Sequence, residues 1–193
     1  EANLEKVQIE LLNSFFENYS KGLKAISSEK PDFEIALSAF FKGTLAPESI
    51  TEAFTNVLLR TSITILLPQD GVGSNGWAGQ VPIKVTPFLD AYLAAAKNAS
   101  LLNGNPIKVW PVLEIFENLT DPTKPKEFKA VPTIIDNIRE QFTVAKPGFE
   151  HFVAFDFFHY MSPQRGLKQK DLYDAYIEQC LALPNACLGY KEE

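Results

Sequence analysis

The chain of 193 residues lacks the features that mark several broad classes of protein. It has no cluster of Lys and Arg residues and a formal net charge of -6, so we expect no nucleic-acid partner. It has no run of the roughly 18 to 20 apolar residues that a membrane helix needs, so we expect no membrane partner. With 46% hydrophobic and 22% charged residues, the composition also excludes a disordered chain or a coiled coil.

Two kinds of catalytic centre also lack their patterns. His151 and His159 flank one predicted strand and the cysteines lie in another segment, so no metal site is predicted. Ser162 could join His159 and Asp156 in a Ser–His–Asp triad, but nothing resembling a nucleophile elbow accompanies it. We therefore assign neither a metal nor a nucleophilic serine.

One glycine-rich stretch matches a cofactor-binding motif, but the residues around it do not fit that motif. Gly71–Gly76 matches the pattern G-x-G-x-x-G of dinucleotide-binding proteins and follows a predicted strand. The glycines should open a helix, but Trp77–Pro82 continues irregularly, and Asp90 lies inside a helical pattern. Asp70 also places a charge where a phosphate would approach. No cofactor is predicted.

Cysteines and sequons favour the secretory pathway. Cys180 and Cys187 are close enough in sequence for a disulfide at the C-terminus. Three Asn-x-Ser/Thr sequons occur, at Asn18, Asn98 and Asn118, and Asn118 is favoured because it lies in a predicted polar loop. The alternative is chance sequons and two buried thiols. Because the chain begins at Glu1 without an initiator Met or a signal peptide, we expect a mature, cut or partial chain.

Helical and strand patterns alternate along the chain, which predicts a parallel sheet covered by helices. The predicted strands are 33–38, 62–67, 107–113 and 151–155, and the predicted helices are 2–26, 47–60, 87–97, 132–144 and 170–181. A TIM barrel needs eight strands, and the opening helix has no strand before it. We therefore predict that residues 1–193 are the C-terminal half of a (β/α)8 TIM barrel, about strands 5–8. A missing or separate N-terminal half, from the same precursor or a second chain, would complete it; a flavodoxin-like open sheet is the alternative.

Acidic and aromatic residues follow the predicted strands, at the end where α/β proteins bind ligands. Acid pairs with aromatic walls are typical of glycoside hydrolysis, so Asp70 and Glu114 are the predicted catalytic residues. Strand alternation is expected to direct Glu114 to the same side as Trp110. The residues predicted to bind the sugar are Gln69, Trp110, Glu117, Asp156, His159 and Tyr160. The alternative is that these acids cap loops or bond to neighbouring strands.

The same segments resemble a known family over nearly the whole chain. After Tyr19 in the first helix, the matching stretches are Ala36–Phe41, Thr64–Gly73, Val109–Glu117 and Val153–Pro163. They resemble the C-terminal half of domain-of-unknown-function family 4434, a set of glycoside-hydrolase-like TIM barrels. Ala39 replaces the Pro that is usual in the family, and the family's first four strands, with their usual catalytic acid at the end of strand four, have no counterpart.

These observations predict a secreted or extracellular carbohydrate-active protein that binds or hydrolyses an oligosaccharide or polysaccharide. The alternative is a non-catalytic secreted barrel, such as a lectin-like, storage or matrix protein. An acid across the pocket within about 5 to 10 Å of Asp70 or Glu114 would favour hydrolysis.

Overall fold

The computed structural model describes residues 2–29, 34–40, 45–74, 86–121, 123–124, 126–127, 129–145, 149 and 151–178. The helices are α1 (Ala2–Glu29), α2 (Pro47–Arg60), α3 (Thr86–Asn103), α4 (Ile135–Ala145), α5 (Phe157–Tyr160) and α6 (Leu167–Tyr176). The strands are β1 (Ala36–Phe40), β2 (Ile65–Gln69), β3 (Lys108–Val109), β4 (Val112–Glu114), β5 (Phe116–Asn118), β6 (Ala130–Pro132) and β7 (Val153–Phe155). The chain divides into two compact units, one of Glu1–Pro68 with Pro87–Trp110 and one of Gln69–Thr86 with Pro111–Glu193.

The first unit packs helices around β2 and β3. β2 and β3 run parallel, with Leu66 opposite Val109. Pro47 begins α2, where its missing N–H costs no helical hydrogen bond. Between α2 and α3, the rings of Phe54 and Tyr92 meet edge to face at 4.8 Å, and both side chains are buried. These contacts make α2 and α3 the centre of the first core.

One face of α1 is apolar and exposed. The exposed residues recur at the three- and four-residue spacing of a helical face: Leu4, Val7, Leu11, Phe15, Tyr19 and Ile26. The opposite side of α1 buries Phe16 and Leu23. Helix α1 therefore has apolar residues on two sides, of which one is buried and the other is exposed.

The second unit contains β4 and β7, which pair in parallel with Glu114 opposite Phe155. Gln69, the last residue of β2, pairs with Val112. Leu113 packs on one side of β4 into a buried cluster that consists of Leu113, Ile115, Ile138, Phe142, Met161 and Leu172. Because alternate residues of a strand face opposite sides, Glu114 lies on the side away from this cluster.

The parallel pairs within each unit, β2 with β3 in the first and β4 with β7 in the second, confirm an α/β fold with a mostly parallel sheet. The prediction of one continuous strand at 107–113 is wrong, because the structure has two short strands there, β3 and β4. Trp110 N donates to Leu66 O, whereas Pro111 has no N–H and only accepts, from Val153 N. β3 and β4 are therefore separate strands, with Trp110 and Pro111 between them.

An antiparallel hairpin replaces part of the predicted loop. β5 and β6 pair with Asn118 opposite Ala130. The prediction that Asn118 lies in a polar loop is therefore wrong, because it ends a strand and is half-buried. Cys180 and Cys187, with their predicted disulfide, lie outside the described residues. Within the described part of the chain, no helix has the length and hydropathy to cross a membrane.

Candidate functional site

The second unit holds two carboxyl groups at the carboxyl ends of neighbouring strands. Asp70 directly follows β2 and is 7% exposed; Glu114 ends β4 and is 1% exposed. Asp70 Oδ1 accepts hydrogen bonds from the backbone N–H groups of Val72, at 3.1 Å, and Glu114, at 3.4 Å. We call Asp70 and Glu114 the acid pair. The first carboxyl group thus ties the segment after β2 to the end of β4.

A short loop, residues 71–74, encloses the carboxyl group of Glu114. Ser74 donates to it twice, from its backbone N–H and from its Oγ at 2.7 Å. The backbone N–H of Gly73 is a third donor. Loop 71–74 is held in turn by β5, since Asn118 donates to Gly73 O at 3.0 Å and to Ser74 O at 2.8 Å.

Two glycines allow the loop to come this close. Gly71 has a φ of 67°, in the left-handed region where a side chain is strained. A Cβ on Gly73 would overlap the carbonyl oxygen of Phe116 and lie 2.9 Å from Glu114 Cβ. In the described part of the glycine-rich stretch, the backbone N–H groups of Gly73 and Ser74 are therefore both bonded to Glu114.

The electrostatics of the acid pair follow from its burial. Burial raises the pKa of Asp70 well above its ordinary value, and the nearby charge of Glu114 raises it further. The hydrogen bonds from Val72 and Glu114 partly oppose this rise. Burial also raises the pKa of Glu114, against the donors of Ser74 and Gly73, which favour its ionised form. The pKa of each carboxyl group of the acid pair is thus raised, chiefly because burial disfavours the ionised form.

A second polar pair begins at the end of β7, the neighbour of β4. Asp156 is the N-cap of α5, and its Oδ1 accepts from the backbone N–H of His159 at 2.9 Å. Its Oδ2 bonds to Nδ1 of the same histidine. We call Asp156 and His159 the dyad. Although partial burial opposes it, these contacts and the charge of His159 lower the pKa of Asp156.

Aromatic rings lie beside the dyad. Tyr160 stacks on Phe116 with ring centroids 4.8 Å apart, and burial and the charge of Asp156 raise its pKa. Phe158 is 55% exposed and has the guanidinium of Arg165 4.2 Å from its ring centroid. The backbone oxygen of Phe116 also adjoins Gly73, so one aromatic residue contacts both loop 71–74 and Tyr160.

The other three residues predicted to bind the sugar are Glu117, Gln69 and Trp110. Glu117 accepts hydrogen bonds from Thr133 Oγ1 at 3.2 Å and from Asn137 Nδ2 at 3.0 Å, in a polar network of its own. Gln69 is half-buried at the end of β2. Trp110 belongs to the first unit, where Lys108 Nζ lies 6.0 Å from its ring centroid.

The predicted glycosylation sites differ in exposure. Asn18 in α1 and Asn98 in α3 are exposed, whereas Asn118 uses its Nδ2 on Ser74 O. This contact removes the reason for favouring Asn118. Among the residues described, no three His, Cys, Asp or Glu side chains are grouped to hold a metal ion.

Three contributors to the site escape sequence reasoning. Ser74 bonds to Glu114 across 40 positions, and Gln141, 2% exposed, donates to Glu114 O at 3.2 Å. Phe116 has no polar side-chain group, so the sequence predicts only that it is a buried core residue, which it is. The available signal was Gly73, because a glycine beside a predicted acid indicates close backbone approach.

The fold and the site together define an α/β protein with an enclosed acid pair and an exposed Asp–His dyad at the carboxyl ends of parallel strands. The family described as Domain of unknown function (DUF4434) matches residues 2–166, and the chain belongs to this family. The match confirms the resemblance identified from the sequence motifs. A search of curated proteins found no match.

Proposed function

We propose that the chain is a carbohydrate-active protein of glycoside-hydrolase type, which binds an oligosaccharide or polysaccharide at the carboxyl ends of β2, β4 and β7. The observation that carries the proposal is the acid pair, two buried acids at the carboxyl ends of neighbouring strands, each with a pKa that burial raises. Glycoside hydrolysis requires one protonated and one ionised carboxyl group. Asp70 suits the acid, because burial and the charge of its neighbour both raise its pKa. Glu114 suits the nucleophile or stabiliser, because three donors favour its ionised form.

The aromatic rings supply the proposed sugar-binding surface. Sugar rings stack their apolar faces on aromatic side chains, and Tyr160 and Phe158 lie beside the polar groups of the dyad. Asp156 and His159 offer hydrogen-bond partners for hydroxyl groups at the same place. Aromatic area beside polar groups is the combination that holds a sugar in a fixed orientation.

A non-catalytic role in carbohydrate binding is the second candidate, favoured by one specific observation. The carboxyl group of Glu114 is 1% exposed and engaged by loop 71–74. A substrate reaches it only when that loop opens. If the loop stays closed, the protein binds sugar through the exposed rings without cleaving it, as a lectin-like, storage or matrix protein would.

We also propose that an N-terminal half, from the same precursor or a second chain, completes a TIM barrel. The exposed apolar face of α1 supports this in the first unit. In the second unit, β7 ends the strand order and exposes Ala154 and Phe155. Such edges aggregate unless covered. Light scattering on the purified chain tests it: a stable, monodisperse monomer would contradict this part of the proposal.

Secretion is proposed from the sequons. Asn18 and Asn98 are exposed, so we expect glycans there before Asn118. The measurement is the intact mass of the native protein before and after enzymatic deglycosylation. An unchanged mass would contradict secretion through the glycosylating pathway.

The central experiment is a binding screen of the 193-residue chain on a glycan array, followed by calorimetry with the best ligand. We expect Phe158→Ala to weaken binding about tenfold, as for an aromatic binding residue. Phe15→Ala is the matched control, because Phe15 is an exposed ring in the first unit, at 60% against 55% for Phe158. Equal losses in both variants, or no binding to any glycan, would contradict a carbohydrate site beside the dyad.

Hydrolysis is tested separately with the same ligand. Asp70→Asn should abolish cleavage and leave binding unchanged if the acid pair reacts. Binding without cleavage by the unaltered chain would favour the second candidate.

A further inference from the structure

The dyad has the geometry of an oriented base. One carboxylate, that of Asp156, holds both the backbone N–H of His159 and its ring Nδ1. The ring is therefore fixed relative to the turn of α5, and its rotation is restricted. Gln169 Nε2 donates to the backbone oxygen of His159 at 3.2 Å and ties the same residue to α6.

This contact determines which ring nitrogen is available. A carboxylate at Nδ1 keeps the proton on that nitrogen and leaves the lone pair on Nε2. The side chain of His159 is 57% exposed, and no residue in the described part of the chain bonds to Nε2. The low pKa of Asp156 keeps its carboxylate ionised for this role.

The acid pair lacks this access. Glu114 has three donors on its carboxyl group and Asp70 is 7% exposed, so neither meets a ligand while loop 71–74 is closed. The dyad lies at the end of the adjacent strand, one position beyond the partner of Glu114 in the ladder. It presents a basic atom to solvent without any movement of the loop.

We propose that His159 is a proton-exchanging residue for the bound ligand and that Asp156 is its positioning residue. The ligand class, a polyhydroxylated ring resting on Phe158, depends on the proposed function; the chemistry of the dyad does not. In the step, the O–H bond of a ligand hydroxyl or a water breaks as the Nε2–H bond forms. The positive imidazolium stays beside the Asp156 carboxylate, which keeps its charge, and the oxygen retains the electron pair of its broken bond. The proton then returns from Nε2 to the same oxygen, so that the exchange leaves every bond as it was at the start.

The chain contains its own control for this proposal. His151 and His159 are its two histidines, both exposed, and His151 precedes β7 whereas His159 follows it. Diethyl pyrocarbonate acylates the unprotonated ring nitrogen of histidine, and mass spectrometry separates the two sites. We expect His159 of the unaltered chain to react about tenfold faster than His159 of the variant Asp156→Asn, with His151 followed in both proteins as a check on reagent and fold.

Asp156→Asn keeps an oxygen for the helix cap and removes the charge. We expect it to lower the rate at His159 about tenfold, with the rate at His151 unchanged. Nitrogen NMR is the second readout, and it should show the proton on Nδ1 of His159 in the unaltered chain. A rate at His159 that does not respond to Asp156→Asn, or a proton found on Nε2 in place of Nδ1, would overturn the proposal.

Adding the sugar identified in the binding screen separates this inference from the proposed function. Protection of His159 but not His151 supports both. A fast, Asp156-dependent His159 that no sugar protects contradicts the carbohydrate ligand at the dyad and leaves its chemistry standing. If the sugar protects His159 but the acylation of His159 is not fast, the result supports a sugar ligand at the dyad and contradicts the role of His159 as an oriented base.

Discussion

The acid pair and the dyad begin at neighbouring positions of one parallel ladder and have opposite environments. Glu114 and Phe155 are directly paired, so Asp156 follows one residue beyond the partner of Glu114. Yet Glu114 is enclosed by loop 71–74, whereas the side chain of Asp156 is 24% exposed and that of His159 is 57% exposed. The pKa of each member of the acid pair is raised and that of Asp156 is lowered. The loop or turn after each strand, more than the strand itself, sets the direction in which the pKa of each acid shifts.

The largest effect on the free energy of unfolding is expected at Gly73, where loop 71–74 comes closest to Glu114 and Phe116. In Gly73→Ala the new methyl group would overlap the carbonyl oxygen of Phe116, so the loop must move away from Glu114. We expect a loss of about 3 kcal/mol in the free energy of unfolding, measured by urea denaturation. Gly22→Ala is the control: its Cβ meets nothing within 4 Å in α1, so it should stabilise by about 0.5 to 1 kcal/mol. If Gly73→Ala leaves the free energy of unfolding unchanged, loop 71–74 does not pack tightly around Glu114.

The second test compares the two members of the acid pair. Glu114→Gln places an amide N–H₂ group against the donors of loop 71–74, and we expect a loss of about 2 kcal/mol. Asp70→Asn keeps an oxygen for the N–H groups of Val72 and Glu114 and removes a charge repulsion. It should change stability by less than about 1 kcal/mol. Equal losses would contradict the assignment of Glu114 as the acid whose ionised form the donors of loop 71–74 favour.

The third test is the pH dependence of stability. A carboxyl group whose pKa is raised on folding contributes fully below its unfolded value, about 4, and loses this contribution as pH rises through the folded value. The unfolding free energy should therefore fall as pH rises from about 4, by at most about 1.4 kcal/mol per pH unit for each proton. Asp70→Asn should flatten this slope. If Asp70→Asn leaves the slope of the unfolding free energy against pH unchanged, the slope arises from other titrating groups.

The smallest effect is expected at the dyad. Asp156→Ala removes the N-cap of α5 and should cost about 1 kcal/mol, whereas Asp156→Asn should cost less because it retains an acceptor. The pH dependence has the opposite sign, since the pKa of Asp156 is lowered. Its contribution is present above the unfolded pKa and is lost as pH falls through the folded pKa. Denaturation of both variants at acidic pH should show their stabilities converging with that of the unaltered chain.

The sequence allowed prediction of the α/β fold and of the segments at the strand ends, because both depend on local patterns. The predicted bounds of α2 match, and Asp70, at the end of β2, accepts a hydrogen bond from the backbone N–H of Glu114. The break at Pro111 was missed because the surrounding apolar run reads as one strand, although the proline removes a ladder donor.

The short hairpin was missed for a different reason. β5 and β6 have three residues each, too few for alternation to show, and a Pro- and Lys-rich connection separates them. The bond from Ser74 to Glu114 spans 40 positions, and a single sequence contains no signal for such a partner. The enclosure of the acid pair is a tertiary property.

The hydrogen bonds of Ser74 and Gly73 to Glu114 also have a kinetic consequence. Amide protons in an irregular loop ordinarily exchange with solvent quickly, but these two are bonded to a buried carboxyl group. Their exchange with deuterated water therefore reports how often loop 71–74 opens. Any ligand that must contact Glu114 binds only that open fraction, and its apparent affinity is reduced by the same fraction. A loop open one time in about a thousand would weaken such a ligand about a thousandfold, while a ligand at the dyad would be unaffected.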